Sequence, residues 1–296
     1  MTIVVTLLYA PADRPDVVGK ALDGGADVVV VDLEDAVAPV AKDRARAGLP
    51  ELIAARPGRT VQVRVNALGT LWSEPDLAMV AQLPADVGVR VPKVTSPADV
   101  AAVVAAVGPR PVHVLIETAA GVEAAGEIAR SPGVATVGLG EADLRSDLGV
   151  SDDDGLAWSR QRLVVAARAA GLPPPAMAVF PNVTDLEGLA VSTGLGRRLG
   201  FVGRAAIHPR QLPVIEAAFT PTTAEVERAQ EVVSALAGAQ EAGAGVVVLR
   251  DGSFLDVAMV ERARRVLDLA ARGTTAREPG GHADVTTDVP EGPAQG

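Results

Sequence analysis

Cysteine is absent from the chain and aromatic residues are scarce, which excludes several kinds of functional site. Without cysteine there are no disulfides, thiolate nucleophiles, zinc–thiolate centres or cysteine-ligated iron–sulfur clusters. Aromatic residues make up 2% of the 296 residues, too few for a groove that stacks sugars or single-stranded nucleic acid. Acidic residues outnumber basic ones by 37 to 27, so the basic excess of a nucleic-acid-binding protein is missing as well.

Long hydrophobic runs are also lacking, although hydrophobic residues make up 48% of the sequence. Charged residues interrupt every apolar run well before the ~18 residues that a membrane span needs. The N-terminal run has no positive segment before it and soon reaches Asp13 and Arg14, unlike a secretory signal. We therefore expect a globular, cytoplasmic protein with no membrane partner.

Short Val/Ile/Leu-rich runs alternate with Ala-rich helical stretches along most of the chain. Near-continuous apolar strands that alternate with helices indicate a parallel sheet covered on its outside. The alternative, a doubly wound open sheet, lacks its glycine fingerprint, because Gly194, Gly196 and Gly200 have the wrong spacing. Eight strand–helix units therefore predict an α/β fold of the (β/α)8 TIM barrel type. The predicted strands are residues 3–9, 27–33, 60–66, 87–93, 111–117, 134–140, 176–180 and 201–207.

The chain continues beyond the eighth predicted strand with two further helical segments, residues 224–243 and 256–271. We expect this C-terminal extension to pack on the barrel or on a neighbouring subunit. The final residues are rich in Gly, Thr, Pro and acidic residues and predict a disordered tail. The predicted organisation is a catalytic barrel at 1–220, a helical extension at 221–272 and the tail at 273–296.

Charged residues occur where most of the predicted strands end, which is where barrel enzymes gather their active sites. A single carboxylate at such a position is often only a helix N-cap, and the whole set also fits an internal ion-pair network. Burying so many ionisable groups together is costly unless they pair or bind something. The strand-end residues are Asp32, Glu34, Asp35, Arg64, Asn66, Lys93, Glu117, Glu141, Asp143 and His208.

Glu117 and Asp143 follow neighbouring strands, and no Cys or His lies near them in the sequence. Two carboxylates completed by waters and substrate oxygens favour Mg²⁺, with Mn²⁺ as a substitute. Arg64 would face them from the third strand and bind a substrate carboxylate through two parallel hydrogen bonds. The pattern indicates a site for a 2-oxo acid, where a bond next to the carbonyl is made or broken with the help of a general base.

A Schiff-base aldolase is the competing mechanism, and it requires a lysine. The chain has three, Lys20, Lys42 and Lys93. The first two fall on predicted helices, away from the strand-end rim. Only Lys93 is placed to react, although pairing with a carboxylate of the rim is its more frequent role.

Taken together, the motifs resemble the citrate lyase β-subunit-like group of the HpcH/HpaI aldolase family. They run in family order over residues 1 to about 271, and the ordered set is more specific than any one motif. The segments that carry the resemblance are residues 9–15, 31–37 (VDLEDAV), 63–66 (VRVN), 91–93 (VPK), 116–118 (IET), 140–144 (GEADL), 147–149, 185–189 and 200–211.

The resemblance implies that Glu117 and Asp143 bind Mg²⁺ and that Arg64 binds the substrate carboxylate. It implies a carbon–carbon lyase that cleaves or forms a 3-hydroxyacyl-CoA, such as citryl-CoA or malyl-CoA, with acetyl-CoA and a 2-oxo acid as the products of cleavage. It also implies that Arg14 helps to hold CoA, and that the protein is a homotrimer or hexamer. Asp256 then matches a general acid/base supplied across the subunit interface, although its spacing also fits a helix N-cap.

The candidate catalytic residues are therefore Arg64, Asp35 and Asp256. The candidate substrate-binding residues are Arg64, Glu117, Arg14 and Lys93. Two alternatives stay open: a related acyl-CoA synthase or thioester hydrolase, and a CoA- or oxo-acid-binding subunit that is active only in a larger lyase complex.

Three positions depart from the pattern of the family. Ala176-Met177 stands where many relatives have Ile-Asp, Arg204 replaces a usual Lys, and Ala10-Pro-Ala replaces Val-Pro-Gly. None of these changes touches the proposed metal ligands. The identity of the substrate is therefore not carried over from the family.

Overall fold

The computed structural model describes residues 3–241, 254–255 and 257–275. The chain divides into two compact units, Met1–Phe219 and Thr220–Gly296. The segment 242–253, Asp256 and the residues from 276 onward lie outside the described part. The predictions for Asp256 and for a disordered tail therefore stay predictions.

The first unit is built on seven parallel strands, whose Val-rich sequences suit a pleated surface that is buried on both faces. Six of these strands lie within predicted runs, and β1 overlaps the first predicted run, residues 3–9, but ends two residues later. Their bounds are β1 Thr6–Pro11, β2 Val28–Asp32, β3 Val61–Arg64, β4 Gly88–Val91, β5 Val112–Ile116, β6 Val134–Leu139 and β7 Arg204–Ala206.

Ten helices belong to the described part of the first unit, and the predicted helix signals recur at several of them. The helix over residues 97–107 begins as predicted at Ser96, whose side chain accepts from the Asp99 amide in a capping box. Their bounds are α1 Pro15–Asp23, α2 Lys42–Ala54, α3 Ser73–Ala81, α4 Pro97–Val107, α5 Ala119–Glu123, α6 Ala125–Ala129, α7 Glu141–Leu148, α8 Ala157–Ala169, α9 Leu186–Leu199 and α10 Leu212–Phe219.

The strands are ordered β6-β5-β4-β3-β2-β1-β7, so the last strand returns to pair with the first. The predicted α/β class is therefore confirmed, with a curled parallel sheet and helices between its strands. The seventh predicted strand, residues 176–180, is reduced to a single bridge between Met177 and Arg204. Among the pairings of the described residues, none joins this segment to β6, so the fold is described as an open, barrel-like sheet.

The sequence offers a physical reason for the missing strand. Residues 173–175 are three consecutive prolines, which lack the N–H groups that a sheet ladder requires. Only two backbone hydrogen bonds hold Met177, from its amide to Gly203 and from the amide of Ala205 to its carbonyl.

One face of the sheet carries a buried polar layer below the strand ends. Arg90 donates to Gln62 Oε1 from Nε at 2.9 Å and from Nη2 at 2.6 Å. His113 Nδ1 lies 2.8 Å from the hydroxyl of Thr136 on the neighbouring strand. Burial, followed by the charge of Arg90, lowers the pKa of His113 to about 3, so this ring is a neutral group inside the sheet.

The second unit contains α11 Thr223–Glu241 and α12 Val257–Thr275. These two helices pack against each other through buried small and branched side chains, Ala229, Val232, Val260 and Ala263. They overlap the two predicted helical segments of the extension. Within the described residues, none of the helices combines the length and the apolar composition that crossing a bilayer requires.

Candidate active site

The ends of strands β2 to β6 bring six of the predicted strand-end charges into one connected group. These side chains lie close together because the carboxyl ends of neighbouring parallel strands share one edge of the sheet. Contacts shorter than 4 Å link each member to at least one other. The group consists of Asp32, Glu34, Arg64, Lys93, Glu117 and Asp143, with Asp35 at its exposed side.

Arg64 is held by carboxylates on the neighbouring strand. Asp32 lies directly opposite Arg64 in the register of β2 and β3. Its two oxygens accept from Arg64 Nε at 2.7 Å and from Nη2 at 2.6 Å, a bidentate pair. Arg64 Nη1 lies 2.8 Å from Glu34 Oε2 and 3.4 Å from Asp35 Oδ2, and the guanidinium stands 5.2 Å from the Tyr9 ring centroid.

This pairing changes how Arg64 can meet a substrate. Burial acts to lower the pKa of Arg64, but the hydrogen bonds and charge of Asp32 outweigh it and raise that pKa above its usual value. The guanidinium is therefore permanently charged. Its Nε/Nη2 edge is already occupied by Asp32, so the two-bond clamp expected from the sequence does not fit that edge, and a substrate carboxylate would have to meet Nη1.

Glu34 is a functional candidate to which the sequence analysis assigned no role. Its side chain is buried and bridges two cations, with Oε1 3.2 Å from Lys93 Nζ and Oε2 2.8 Å from Arg64 Nη1. Burial raises the pKa of Glu34 above its usual value, and Arg64 opposes that rise. The available signal was its spacing from Asp32, because residues two apart point to the same side of a strand.

Lys93 has φ of +54°, the one positive φ outside glycine in the described residues. Its amide donates to Glu117 Oε2 at 3.1 Å, while Nζ lies 3.2 Å from Glu34 and 3.8 Å from Asp143. Burial acts to lower the pKa of Lys93, but these carboxylates raise it above its usual value. Lys93 is therefore an ammonium paired with the carboxylates of the rim, whereas a Schiff-base nucleophile needs a neutral amine.

Glu117 and Asp143 form the acidic side of the group. Glu117 is buried against Gly140, where a Cβ would come within 2.0 Å of Glu117 Oε1, so only glycine leaves room for the carboxylate. Asp143 is more open, with 43% of its side chain exposed. Burial, and then the charges of Glu34 and Asp143, raise the pKa of Glu117 to about 7.

These residues fit the predicted Mg²⁺. No group of three or more potential metal-ligating side chains occurs in the described part of the chain. Mg²⁺ does not need one, since it keeps several waters and is often bound through one or two carboxylates. A divalent cation would also relieve the repulsion that raises the pKa of Glu117.

The remaining predicted residues lie at the edge of this group or outside it. Arg14 is exposed at the start of α1, just beyond the end of β1. Asp35 is exposed over 60% of its side chain and contacts only the outer nitrogen of Arg64 in the rim. His208 caps a short 3-10 turn by accepting from the amide of Arg210.

The prediction that Lys42 lies away from the rim is wrong. α2 begins at Lys42 itself, and its side chain is buried, with Nζ 2.7 Å from the backbone oxygens of Leu33 and Glu34. The sequence predicted the helix but not that Lys42 is its first residue. A side chain at that end of the helix reaches the loop that follows β2.

Arg204, which departs from the family pattern, is buried beside α9. Its Nη1 donates to the hydroxyls of Ser192 at 3.0 Å and Thr193 at 3.2 Å. Burial lowers the pKa of Arg204 to about 10. These hydrogen bonds tie β7 to α9 and do not involve the rim carboxylates.

A comparison with known families identifies the group to which this site belongs. The model of the HpcH/HpaI aldolase/citrate lyase family matches residues 5–209, which include every described member of the rim. The chain belongs to this family. The resemblance seen in the sequence is therefore confirmed, and the protein is an enzyme of the CoA-ester lyase group.

Individual relatives are similar over most of their length. A (3S)-malyl-CoA thioesterase of Cereibacter sphaeroides is 36% identical over 272 residues, covering 88% of this chain and 93% of the relative. The CitE protein of Mycobacterium tuberculosis, solved with magnesium, acetoacetate and coenzyme A, is 32% identical with a TM-score of 0.77, covering 91% of this chain and 99% of that one. A citrate lyase beta subunit of M. tuberculosis, solved with oxaloacetate and magnesium, is 35% identical with a TM-score of 0.66, covering 74% and 98%.

Proposed function

We propose that the protein is a Mg²⁺-dependent carbon–carbon lyase that cleaves or forms a 3-hydroxyacyl-CoA, such as citryl-CoA or malyl-CoA. Cleavage would give acetyl-CoA and a 2-oxo acid. The observation that carries the proposal is the acidic pair Glu117 and Asp143, next to the cations Arg64 and Lys93 at one edge of the sheet. The relatives solved with magnesium, coenzyme A and oxaloacetate support it.

Glu117 and Asp143 would hold Mg²⁺, or Mn²⁺ in its place. The ion, when bound, polarises the carbonyl oxygen of the 2-oxo acid and stabilises negative charge that develops there. Arg64 would bind the carboxylate of the acid through Nη1, at the position where it now meets Glu34 and Asp35. The ammonium of Lys93 would offset part of the negative charge of the site.

In the cleavage direction, the bond between the hydroxyl-bearing carbon and the carbon next to the thioester breaks. The hydroxyl proton goes to a general base, and the electron pair of the bond goes to the acetyl thioester, whose carbon then takes up a proton. Glu34 and Asp35 are the two carboxylates beside Arg64 Nη1, and neither is a proposed metal ligand. We also propose Asp256, from a neighbouring subunit of a homotrimer or hexamer, as the acid/base that serves this carbon, and Arg14 as a contact for CoA.

The test is turnover of (3S)-malyl-CoA and citryl-CoA by the purified full-length chain with Mg²⁺ present. The expected result is equal amounts of 2-oxo acid and acetyl-CoA, with complete loss when a chelator is added and recovery when Mg²⁺ is restored. Borohydride added with the substrate should leave the enzyme active. Inactivation at Lys93, combined with indifference to chelator, would contradict the proposal and support the lysine mechanism.

A second candidate is thioester hydrolysis, which is favoured by the (3S)-malyl-CoA thioesterase relative. Hydrolysis releases free CoA thiol and leaves malate, whereas carbon–carbon cleavage releases neither. Because the chain has no cysteine, every thiol detected in the assay comes from CoA. Glyoxylate without thiol supports the lyase, and thiol without glyoxylate supports the hydrolase.

The alternative of a subunit active only in a larger complex predicts a different result. The purified chain would then bind Mg²⁺ and oxaloacetate in calorimetry and turn over none of the CoA esters. Turnover by the isolated chain would exclude it.

A further inference from the structure

Lys42 is a buried cation at the rim that the proposed reaction does not use. Lys42 is 5% exposed. Its ammonium lies 2.7 Å from each of three oxygens, which are the carbonyls of Leu33 and Glu34 and Oδ1 of Asn66. The indole ring of Trp72 lies on another side, with its centroid 5.1 Å from Nζ. Lys42 thus sits among a ring and three acceptors, well away from solvent.

The three acceptors indicate which form of Lys42 occupies this position. An ammonium carries three N–H donors, one for each oxygen, whereas a neutral amine has only two. Burial lowers the pKa of Lys42, and the negative charges of Asp32 and Asp76 oppose that shift most strongly. The geometry therefore calls for a charged amine with every donor in use.

Lys42 and Asp32 hold the loop after β2 from two sides. The carboxylate of Asp32 accepts from the amides of Glu34 at 2.9 Å and Ala36 at 3.2 Å, while Lys42 donates to the carbonyls of Leu33 and Glu34. These hydrogen bonds fix the amides of Glu34 and Ala36 and the carbonyls of Leu33 and Glu34. The direction of the Glu34 side chain, which reaches Arg64 and Lys93, depends on this loop.

Lys42 also connects the loop to the end of β3. Asn66, two residues after Arg64, accepts from Lys42 and donates from Nδ2 to Leu33 O at 3.0 Å and to Asp76 Oδ2 at 2.6 Å. Asp76 additionally accepts from the backbone amide of Asn66 at 2.9 Å. The ammonium thus links the carbonyl of Glu34 to Asn66, next to the direct hydrogen bond from Asn66 to Leu33.

We propose that Lys42 is a positioning residue of the active site, whose ammonium sets Glu34 and Arg64 in the arrangement that receives the carboxylate of the 2-oxo acid. The inference rests on the proposed function for its catalytic consequence. The structural part of the proposal does not depend on the reaction: it states that the ammonium of Lys42 helps to fix the loop after β2. A misplacement of about 1 Å in such a group can cost about 100-fold in rate.

The absence of cysteine allows a direct test by chemical rescue. Lys42→Cys introduces the only thiol of the chain. This thiol is alkylated while the protein is unfolded in denaturant, and the protein is then refolded. Bromoethylamine restores a side chain of lysine length with its ammonium, whereas iodoethane gives an uncharged ethyl thioether that lacks only the terminal nitrogen. Wild-type protein taken through the same steps controls for damage, since it has no thiol to modify.

The aminoethylated protein should regain most of the wild-type kcat, while the ethylated protein should stay about 100-fold lower. The KM for the CoA ester should differ less than kcat between the two, because the proposal assigns Glu34 and Arg64 to the oxo-acid end of the substrate. Equal activity of the two alkylated proteins would overturn the proposal, since packing alone would then suffice.

A second variant, Lys42→Met, covers failure of the refolding step, and Lys20→Met on the exposed end of α1 is its matched control. Hydrogen exchange at the amides of Glu34 and Ala36 should accelerate at least tenfold in Lys42→Met and remain unchanged in Lys20→Met. Unchanged exchange in both variants would overturn the proposal. If wild-type protein neither binds oxaloacetate nor turns over CoA esters, the proposed function fails, and the exchange measurement still decides whether Lys42 fixes the loop.

Discussion

The two halves of the rim balance their charges in opposite ways. At the ends of β2 and β3, Arg64 is neutralised by Asp32 and Glu34 within the chain. At the ends of β5 and β6, Asp143 lies 3.8 Å from the ammonium of Lys93, whereas Glu117 accepts from the backbone amide of Lys93. The cation of the first half is thus paired within the chain, whereas the second half retains an acidity that a bound cation would relieve.

The pKa directions express the same difference. Asp32 accepts four hydrogen bonds and keeps the pKa of Arg64 above its usual value, so the guanidinium remains charged. Glu117 accepts from the amide of Lys93 and has its pKa raised to about 7. Substitutions in the two halves should therefore change stability in opposite directions, and only the acidic half should control metal binding.

The largest effect is expected from Asp143→Asn. Loss of one of two carboxylate ligands should lower Mg²⁺-dependent turnover at least 1000-fold, roughly the scale of removing a group on which the transition-state charge depends. The open position of Asp143 predicts that the variant keeps its fold, as circular dichroism and thermal melting would show. Near-wild-type turnover in this variant would remove the metal proposal.

Arg64→Met should instead damage the folded state. The substitution leaves Asp32 buried without its cation and leaves Glu34 with Lys93 alone, and breaking a buried pair in this way typically costs about 3–5 kcal/mol. Urea denaturation should show a lower free energy of unfolding. Replacing Asp32 as well, in the double variant Asp32→Asn with Arg64→Met, should recover part of the loss. If Arg64→Met alone is as stable as wild type, the pair of Arg64 and Asp32 does not stabilise the folded state.

Glu117→Gln should stabilise the metal-free protein at alkaline pH. Because the pKa of Glu117 is raised from 4.5 to about 7 in the folded state, its contribution is fully present below pH 4.5 and is lost as pH rises through about 7. A shift of this size corresponds to roughly 3 kcal/mol. In chelator, the free energy of unfolding of wild type should therefore fall relative to that of the variant between pH 4.5 and 7. If the two free energies change in parallel with pH, the raised pKa of Glu117 is contradicted.

Mg²⁺ affinity should follow the same ionisation and is the smallest of these effects. A carboxylate must lose its proton to bind the ion, so the apparent Kd should rise about tenfold per pH unit below pH 7. Calorimetric titrations from pH 5.5 to 8 measure the slope. A Kd that does not vary with pH over this range would show that Glu117 is not a ligand.

Sequence patterns located the acidic half of the rim more completely than the Arg64 half. Glu117 and Asp143 follow two neighbouring apolar strands, β5 and β6, so counting along the strands was enough to place both at one edge. The fixed surroundings of Arg64 depend on contacts across the chain, such as Lys42 to Asn66, 24 positions apart. Such contacts leave no local periodicity, which is why Glu34 had no assigned role and Lys42 was placed on the wrong side.

The seventh strand illustrates a related limit. Residues 176–180 have the composition of a strand, yet three prolines stand directly before them, so residues 173–175 supply no N–H donors to extend the pairing. Hydrophobic composition predicts burial, which Met177 has at 2% exposed, but it does not predict a partner strand.

The central claim is that Glu117 and Asp143 together bind Mg²⁺ and thereby seat a 2-oxo acid beside Arg64. A crystal structure of the protein grown with saturating Mn²⁺ and oxaloacetate tests it most directly, because Mn²⁺ is identified by its anomalous signal. The account predicts an anomalous peak in contact with both carboxylates, with the oxo acid between the ion and Arg64 Nη1. A map in which the two carboxylates contact only Lys93 or guanidinium groups, with no ion at that position, would contradict it.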